Sequence, residues 1–195
     1  MHKEIDIKKW EDYKTSSKVL HIKSFKQLDT SWDSIIDLAN RSLHTASDTY
    51  AEVNKNYPED KYVYQNDVAS ILRTIGYVQF ISQMPLIAKE IDQSVKEIDK
   101  VFGSEVERTS VQFFCNLFAT EYVSEVHSDP WDAVVLQIKG TTIWDMYTED
   151  KNNIVDSIAL EQGDLLLVPT GAVHRVTSNS SRATLNFPIH TEKRK

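Results

Sequence analysis

The hydrophobic positions in the first third of the chain follow one short β pattern and one helical pattern. Val19-Leu20-His21-Ile22 predicts a short strand, because the run is apolar and is flanked by serines on both sides. Asp29-Thr30-Ser31 offers N-cap residues for a helix. The apolar residues of that helix recur at helical spacing: Trp32, Ile35, Ile36, Leu38 and Ala39. The polar stretch from residue 50 to residue 60 predicts a loop.

Two further helices are predicted in the middle of the chain. Asn66 can cap the first, whose apolar positions are Val68, Ile71, Leu72 and Ile75. Pro85 suits the first turn of the second helix, and Gly103 ends it. The apolar positions of this second helix are Ile87, Ile91, Val95, Ile98 and Phe102. Stripes with this period predict helix faces that pack on a core.

From about residue 110 the pattern changes to short runs of β-branched and aromatic residues separated by turn signals. The predicted strands cover residues 111–118, 133–138, 141–147, 157–160, 164–169 and 183–187. Strands at this spacing indicate a sandwich or a barrel. A helical part followed by an antiparallel β part is an α+β arrangement.

A length of 195 residues fits one domain. We expect residues 1–195 to form a single domain, in which residues 1–109 are a mostly helical buttress and residues 110–190 are a β-barrel core. The N-terminal helices should pack on one sheet of this barrel. Eight-stranded double-sheet barrels of this kind include the jelly rolls and cupins.

Composition narrows the class of partner. The net charge of −7 and the pI near 5.4 argue against a nucleic-acid partner, which would need a basic stripe. The single cysteine, Cys115, excludes an internal disulfide. No apolar run has the roughly 18 residues of a membrane span, and the first residues lack a signal segment. We therefore expect a cytoplasmic protein with no membrane partner.

The chemistry lies in two segments of the β half. His127 and Asp129 are two residues apart just before a predicted strand, so in extended backbone their side chains point to the same side. His174 follows Pro169-Thr170-Gly171. Two imidazoles and one carboxylate on one face of a metal define the non-haem iron(II) oxygenase site, whose open positions can take a cosubstrate and dioxygen. We predict that these three residues bind Fe(II).

The residues around these ligands resemble a known family. The first segment reads HSDPWDAVVLQIKG from His127 to Gly140, and the second reads EQGDLLLVPTGAVHRV from Glu161 to Val176. Together they resemble the Jumonji-C, cupin-like branch of the 2-oxoglutarate and Fe(II)-dependent oxygenases over roughly residues 111–189. The resemblance implies a double-stranded β-helix buttressed by N-terminal helices, with 2-oxoglutarate as cosubstrate.

The chain departs from the family pattern where the cosubstrate's far carboxylate is held. The family usually has a lysine two residues after the glycine of the QIxG strand, and here that position is Thr142. Lys139 has the opposite parity and faces the other way. Arg182 is the alternative cation, because it shares parity with Asn186, which matches a family asparagine that lines the cosubstrate pocket. An arginine there can make a bidentate pair with a carboxylate.

The remaining site residues are predicted from their positions in the resembled family. Thr142 and Ser124 would supply hydroxyl donors to the cosubstrate, and Asn116 is a further candidate on the incoming strand. Trp131 and Asp132 follow the metal ligands in the loop at the barrel mouth, which faces the substrate in the family. Tyr122 is a further candidate substrate-binding residue.

Two functions remain open on these residues. The first is an oxygenase that uses Fe(II), 2-oxoglutarate and dioxygen to hydroxylate a C–H bond of a small molecule or of a peptide or protein side chain. The second is a metal-binding cupin that does not use 2-oxoglutarate: an isomerase, a lyase, another dioxygenase or a binding module without turnover. Thr142 in place of lysine favours the second function.

Overall fold

The computed structural model describes residues 5–26, 29–50, 78–82, 93, 96–98, 100–101, 111–116 and 122–189, and only the main chain of residues 7, 39–50, 78–82 and 122. The named elements are α1 (Ile7–Thr15), β1 (Leu20–Ile22), α2 (Trp32–Thr45), β2 (Ala46–Tyr50), β3 (Val78–Ser82), β4 (Gln112–Asn116), β5 (Tyr122–Val123), β6 (Asp132–Lys139), β7 (Thr142–Tyr147), β8 (Ile154–Leu160), β9 (Leu165–Val168), β10 (His174–Ser178) and β11 (Arg182–Ile189). The described residues between 93 and 101 are helical, as predicted. The predicted helix at residues 66–75 lies outside the described residues. So does the predicted loop at residues 50–60, apart from Tyr50, which ends β2.

Both N-terminal helices begin at a side-chain cap. Asp6 caps α1, because its carboxylate accepts a hydrogen bond from the Lys9 N–H at 3.0 Å. Ser31 caps α2, because its hydroxyl accepts from the Ser34 N–H at 3.1 Å. The start of α2 confirms the sequence prediction, whereas α1, β2, β3, β5 and β10 were not predicted.

The strands form two antiparallel sheets. The larger sheet has seven strands in the order β1-β9-β6-β11-β4-β3-β2, and the smaller sheet has four in the order β5-β10-β7-β8. Every strand pair that the structure describes is antiparallel. Mostly antiparallel sheets with few helices fit a jelly-roll fold, in agreement with the predicted β core.

The two faces of the larger sheet pack against different partners. Along β6, Val134 and Leu136 belong to a core cluster shared with Trp10 of α1 and Ile35 of α2. The alternate residues of β6 belong to a second cluster, shared with Trp144 and Met146 of the smaller sheet. The side-chain alternation of a strand therefore divides β6 between a helix-covered face and an interior between the two sheets. The predicted packing of N-terminal helices on one sheet is observed.

The turn between β6 and β7 brings the start of β11 close to the main chain. Gly140 has a φ of +67°, and a Cβ at this position would lie 2.1 Å from the carbonyl oxygen of Ser181. Only glycine fits this turn without strain.

Within the described residues, every helix falls short of the length and hydropathy of a bilayer span.

Candidate metal centre and adjoining pocket

The two histidines predicted as ligands are neighbours across a β bridge. The His127 N–H donates to the His174 carbonyl at 3.0 Å, and the His174 N–H donates to the His127 carbonyl at 2.8 Å. Their ring centroids are 4.4 Å apart. The main chain itself therefore sets the separation of the two imidazoles.

Asp129 is brought to the same place by the turn before β10. Gly171 has a φ of +79°, and its N–H donates to the Asp129 carbonyl at 2.9 Å. This bond ties the loop after His127 to the turn before His174. An Asp129 carboxylate oxygen lies 3.9 Å from Nε2 of His174. The Pro-Thr-Gly turn of the sequence motif thus has a geometric role in forming the site.

Hydrogen bonds fix which nitrogen each histidine offers. Nδ1 of His127 lies 2.8 Å from the Glu125 carbonyl oxygen, and Nδ1 of His174 lies 2.9 Å from the Ala172 carbonyl oxygen. A carbonyl oxygen only accepts, so both Nδ1 atoms carry the proton and both Nε2 atoms keep a lone pair for a metal. Orientation of a ligating histidine by a backbone carbonyl is a common feature of metal sites.

The electrostatics of His174 suit a ligand. Burial lowers the pKa of His174, and the nearby His127 lowers it further, against the opposing effects of the Ala172 carbonyl and the Asp129 carboxylate. The Trp144 ring stacks on the His174 ring at 5.2 Å between centroids and covers one of its faces. His174 is therefore held neutral and oriented, which is the form that binds a metal.

The donor set fits a divalent iron. One ligand atom from each of His127, Asp129 and His174 lies within 4.8 Å of the others. Adjacent ligands on one ion, each at about 2.1 Å from it, are about 3 Å apart, so closure needs shifts of one to two ångströms at most. Asp129 can supply part of that movement because its side chain is 23% exposed. Two nitrogens and one carboxylate on one face leave the opposite face open for other ligands.

A cluster of buried polar side chains, which we call the polar pocket, adjoins this centre between the sheets. Along β11, residues 183, 185 and 187 pack on the helix side, so Arg182, Thr184 and Asn186 face the interior between the sheets. Arg182 is 2% exposed, and its guanidinium lies 5.7 Å from the centre of the Phe114 ring. The structure thus brings the predicted arginine and asparagine onto the inward face of one strand.

A hydrogen-bonded series leads from Arg182 towards the metal ligands. Nη1 of Arg182 donates to the Thr184 hydroxyl at 3.4 Å, and that hydroxyl donates to Oε1 of Gln137 at 2.9 Å. The Thr142 hydroxyl donates to the same Oε1 at 3.1 Å and accepts from the Trp144 Nε1–H at 3.1 Å. Trp144 is the residue that stacks on His174, so the pocket and the centre share a wall.

The other predicted cosubstrate residues have partners of several kinds. Asn116 donates from Nδ2 to the Ser180 carbonyl at 3.1 Å, and Asn186 donates from Nδ2 to Oε1 of Gln112 at 2.9 Å. No donor among the described residues reaches Oδ1 of Asn186. The Ser124 hydroxyl accepts from the Val176 N–H at 2.8 Å and donates to the Glu125 carbonyl at 3.1 Å, so it is bonded to the main chain on both sides.

The residues predicted at the mouth separate in the structure. Trp131 packs against the cluster between the sheets. Asp132 is 2% exposed, accepts from the N–H and hydroxyl of Thr170 at 2.8 and 2.9 Å, and pairs with Lys14 of α1 at 2.6 Å. These bonds use both carboxylate oxygens: one oxygen holds the turn before β10, and the other binds Lys14 of α1. The side chain of Tyr122 lies outside the described residues.

Sequence reasoning missed two residues that shape the site. Gln137 is fully buried at an inward position of β6, between apolar neighbours in the sequence. Asp164 accepts hydrogen bonds from the Ser24 N–H at 2.7 Å and from His21 at 2.8 Å, and so ties β1 to the start of β9. Burial opposes the ionised form of Asp164, yet these bonds and one from the Glu161 N–H leave its pKa lowered. The signal that the sequence offered for Gln137 was a polar residue inside an apolar run.

Comparisons with known proteins agree with this fold. A family model described as the JmjC domain matches residues 88–195. A crystal structure of the Escherichia coli ribosomal oxygenase YcfD superposes with a TM-score of 0.68 at 12% identity, covering 95% of this chain and 52% of that one. YcfD in complex with cobalt and 2-oxoglutarate gives a TM-score of 0.65 at 12% identity and the same coverage. The chain thus spans about half the length of YcfD, and at this identity the likeness shows the fold alone. No curated protein sequence matches the chain.

Proposed function

The chain belongs to the JmjC domain family, and from that premise we propose that it is an Fe(II)- and 2-oxoglutarate-dependent oxygenase. Its reaction would be hydroxylation of a C–H bond of a small molecule or of a peptide or protein side chain, with dioxygen as co-reactant. The observation that carries the proposal is the placement of a buried arginine in a pocket that adjoins a two-histidine, one-carboxylate cluster. The jelly roll that holds both would be a double-stranded β-helix.

His127, Asp129 and His174 would hold the metal through the two Nε2 atoms and a carboxylate oxygen. Bound iron together with 2-oxoglutarate supplies dioxygen activation and the oxidative decarboxylation that yields succinate and carbon dioxide. The chain's own contribution is to orient both imidazoles through the Glu125 and Ala172 carbonyls and to exclude water from His174 with the Trp144 ring. These contacts are preorganised before any ligand enters.

Arg182 would receive the far carboxylate of 2-oxoglutarate in place of the lysine that Thr142 replaces. A buried carboxylate needs a cation or several donors, and Arg182 is a cation on the inward face of β11 that can form two parallel hydrogen bonds. Asn186 and Asn116 lie on the same interior side and would complete the polar wall. Trp131 would border the substrate entrance, whereas the bonds of Asp132 give that residue a scaffolding role.

One observation favours a second candidate, a metal-binding cupin that does not use 2-oxoglutarate. The Thr142 hydroxyl donates to Gln137 and accepts from Trp144, so the family's usual anchor position offers neither a charge nor a spare hydrogen. In this case the same three residues would bind a metal for isomerase, lyase or other dioxygenase chemistry, or for binding alone.

The test separates the two candidates by cosubstrate use. Fe(II)-loaded protein would be titrated with 2-oxoglutarate without oxygen, and then exposed to oxygen while succinate is measured. The oxygenase predicts saturable 2-oxoglutarate binding and succinate formation that His174→Ala abolishes. If the protein binds one Fe(II) but neither binds nor consumes 2-oxoglutarate, the second candidate is the better account.

A further inference from the structure

Gln137 is a polar side chain that follows two apolar residues on the inward face of β6, and hydrogen bonds hold its main chain on both sides. Its side chain is fully buried, and the inward residues before it, Ala133 and Val135, are apolar. The Gln137 N–H donates to the Asp164 carbonyl at 3.1 Å, and its carbonyl accepts from the Gly163 N–H at 2.8 Å. A buried amide in this place is costly unless each of its atoms has a partner.

The partners of this amide fix the direction of every hydrogen around it. Nε2 of Gln137 donates to the Lys139 carbonyl oxygen at 2.8 Å, and because that oxygen only accepts, the other end of the amide is the oxygen. Oε1 has no hydrogen to give, so the hydroxyls of Thr142 and Thr184 must both donate to it. The hydrogen of each hydroxyl is therefore committed to Gln137.

The lone pairs that remain face the two ends of the pocket. Thr184 presents its oxygen to Nη1 of Arg182 at 3.4 Å, and Thr142 presents its oxygen to the indole N–H of Trp144 at 3.1 Å. Neither threonine can give a hydrogen to an entering carboxylate without losing its bond to Gln137. An incoming anion is left to the guanidinium, whose Nη1 lies 3.4 Å from the Thr184 hydroxyl oxygen.

We propose that Gln137 is a positioning residue that makes this pocket selective for 2-oxo acids with a second carboxylate. It does so by holding Thr184 with its oxygen towards Arg182 and by withholding both threonine hydrogens from the ligand. This inference rests on the proposed function. It also explains how Thr142 can stand at the usual lysine position without serving as the anchor.

The first test compares two ligands on a Gln137→Met variant. Methionine keeps the length of the side chain but removes the oxygen that accepts both threonine hydrogens, so Thr184 is no longer held with its oxygen towards the guanidinium. Anaerobic Fe(II)-loaded protein would be titrated with 2-oxoglutarate and with 2-oxovalerate, which has the same carbon chain but no second carboxylate. We expect the Kd for 2-oxoglutarate to rise by about tenfold or more and that for 2-oxovalerate to change by less than about twofold. Gln162→Met, at an exposed residue, is the control for the same chemical change.

A second pair of variants tests the proposal without altering Gln137. Thr184→Val keeps the shape of the side chain but removes the hydroxyl, whereas Thr184→Ser keeps the hydroxyl and removes the methyl group. We expect the valine variant to weaken 2-oxoglutarate selectively and the serine variant to bind like the wild type. Such rescue is not expected if position 184 only fills space.

The outcomes separate this inference from the proposed function. Wild-type protein that binds Fe(II) but shows no affinity for 2-oxoglutarate overturns both. Wild-type protein that prefers 2-oxoglutarate, with Gln137 and Thr184 variants that keep the preference, overturns the inference alone. A parallel loss for both ligands also overturns it, because it shows general damage to the pocket.

Discussion

Replacing Arg182 should separate cosubstrate affinity from metal affinity. Arg182→Met removes the charge but keeps an unbranched apolar side chain against the Phe114 ring, which lies 5.7 Å from the guanidinium. A charge-assisted hydrogen bond contributes about 1.5–3 kcal/mol, and about 1.4 kcal/mol corresponds to a tenfold change in Kd. The Kd for 2-oxoglutarate should therefore rise by about ten- to a hundredfold, while Fe(II) affinity stays unchanged.

Anaerobic calorimetric titration measures both affinities on the same sample. Arg175→Met is the matched control, because Arg175 lies on the outward face of β10 and pairs with Asp145 at 2.9 Å, away from the pocket. The control should bind 2-oxoglutarate as the wild type does. An Arg182→Met protein that remains folded and binds 2-oxoglutarate with unchanged affinity would refute Arg182 as the anchor.

Three further predictions concern the scaffold. Asp132→Asn should lower the free energy of unfolding by about 1–3 kcal/mol in urea titrations, because it weakens the carboxylate's bonds to Thr170; an unchanged midpoint would contradict the scaffolding role. Gly140→Ala should cost more than about 2 kcal/mol, because the new Cβ would lie 2.1 Å from the Ser181 carbonyl oxygen at a φ of +67°; wild-type stability would show that this contact is not restrictive. Burial raises the pKa of the Cys115 thiol from 9.0 to about 12, so iodoacetamide at pH 8 should label only unfolded protein. The stability due to the neutral thiol should fall as the pH rises from 9 towards 12. Rapid labelling of folded protein would exclude such burial.

Much of the β half was predictable, because buried and alternating strand positions produce recognisable patterns of apolar and polar residues in the sequence. Strands β6 and β9 contain apolar runs, and β11 alternates apolar residues with Arg182, Thr184 and Asn186; the predicted segments overlap all three strands. Helix α1 was missed because it buries one large side chain, Trp10, with Tyr13 only partly covered. A helix with so narrow an apolar face gives little periodic signal.

The candidate metal ligands could be found from local spacing, whereas the surroundings of the pocket could not. His127 and Asp129 share a segment, and His174 stands in a motif of its own. The bond that joins these segments, from Gly171 to Asp129, is a tertiary contact with no local pattern. Gln137 went unnoticed for the same reason, because its partners come from other strands.

Asp132 illustrates how strand parity decides the role of a residue. It was predicted at the substrate mouth because it follows His127 and Asp129 in a loop that faces the substrate in the resembled family. In β6 it shares parity with Val134 and Leu136, which face the helices, so its side chain meets Lys14 of α1. Trp131 has the parity of Ala133 and faces the interior between the sheets.

The central claim is that one divalent metal is held by His127, Asp129 and His174, and metal stoichiometry tests it most directly. Anaerobic titration with Fe(II) should give one equivalent per chain for the wild type. Replacement of all three residues by alanine should abolish this binding while the circular dichroism spectrum stays unchanged. A His21→Gln control, at a histidine that pairs with Asp164, should still bind one equivalent. A folded triple variant that binds Fe(II) as tightly as the wild type would contradict the account.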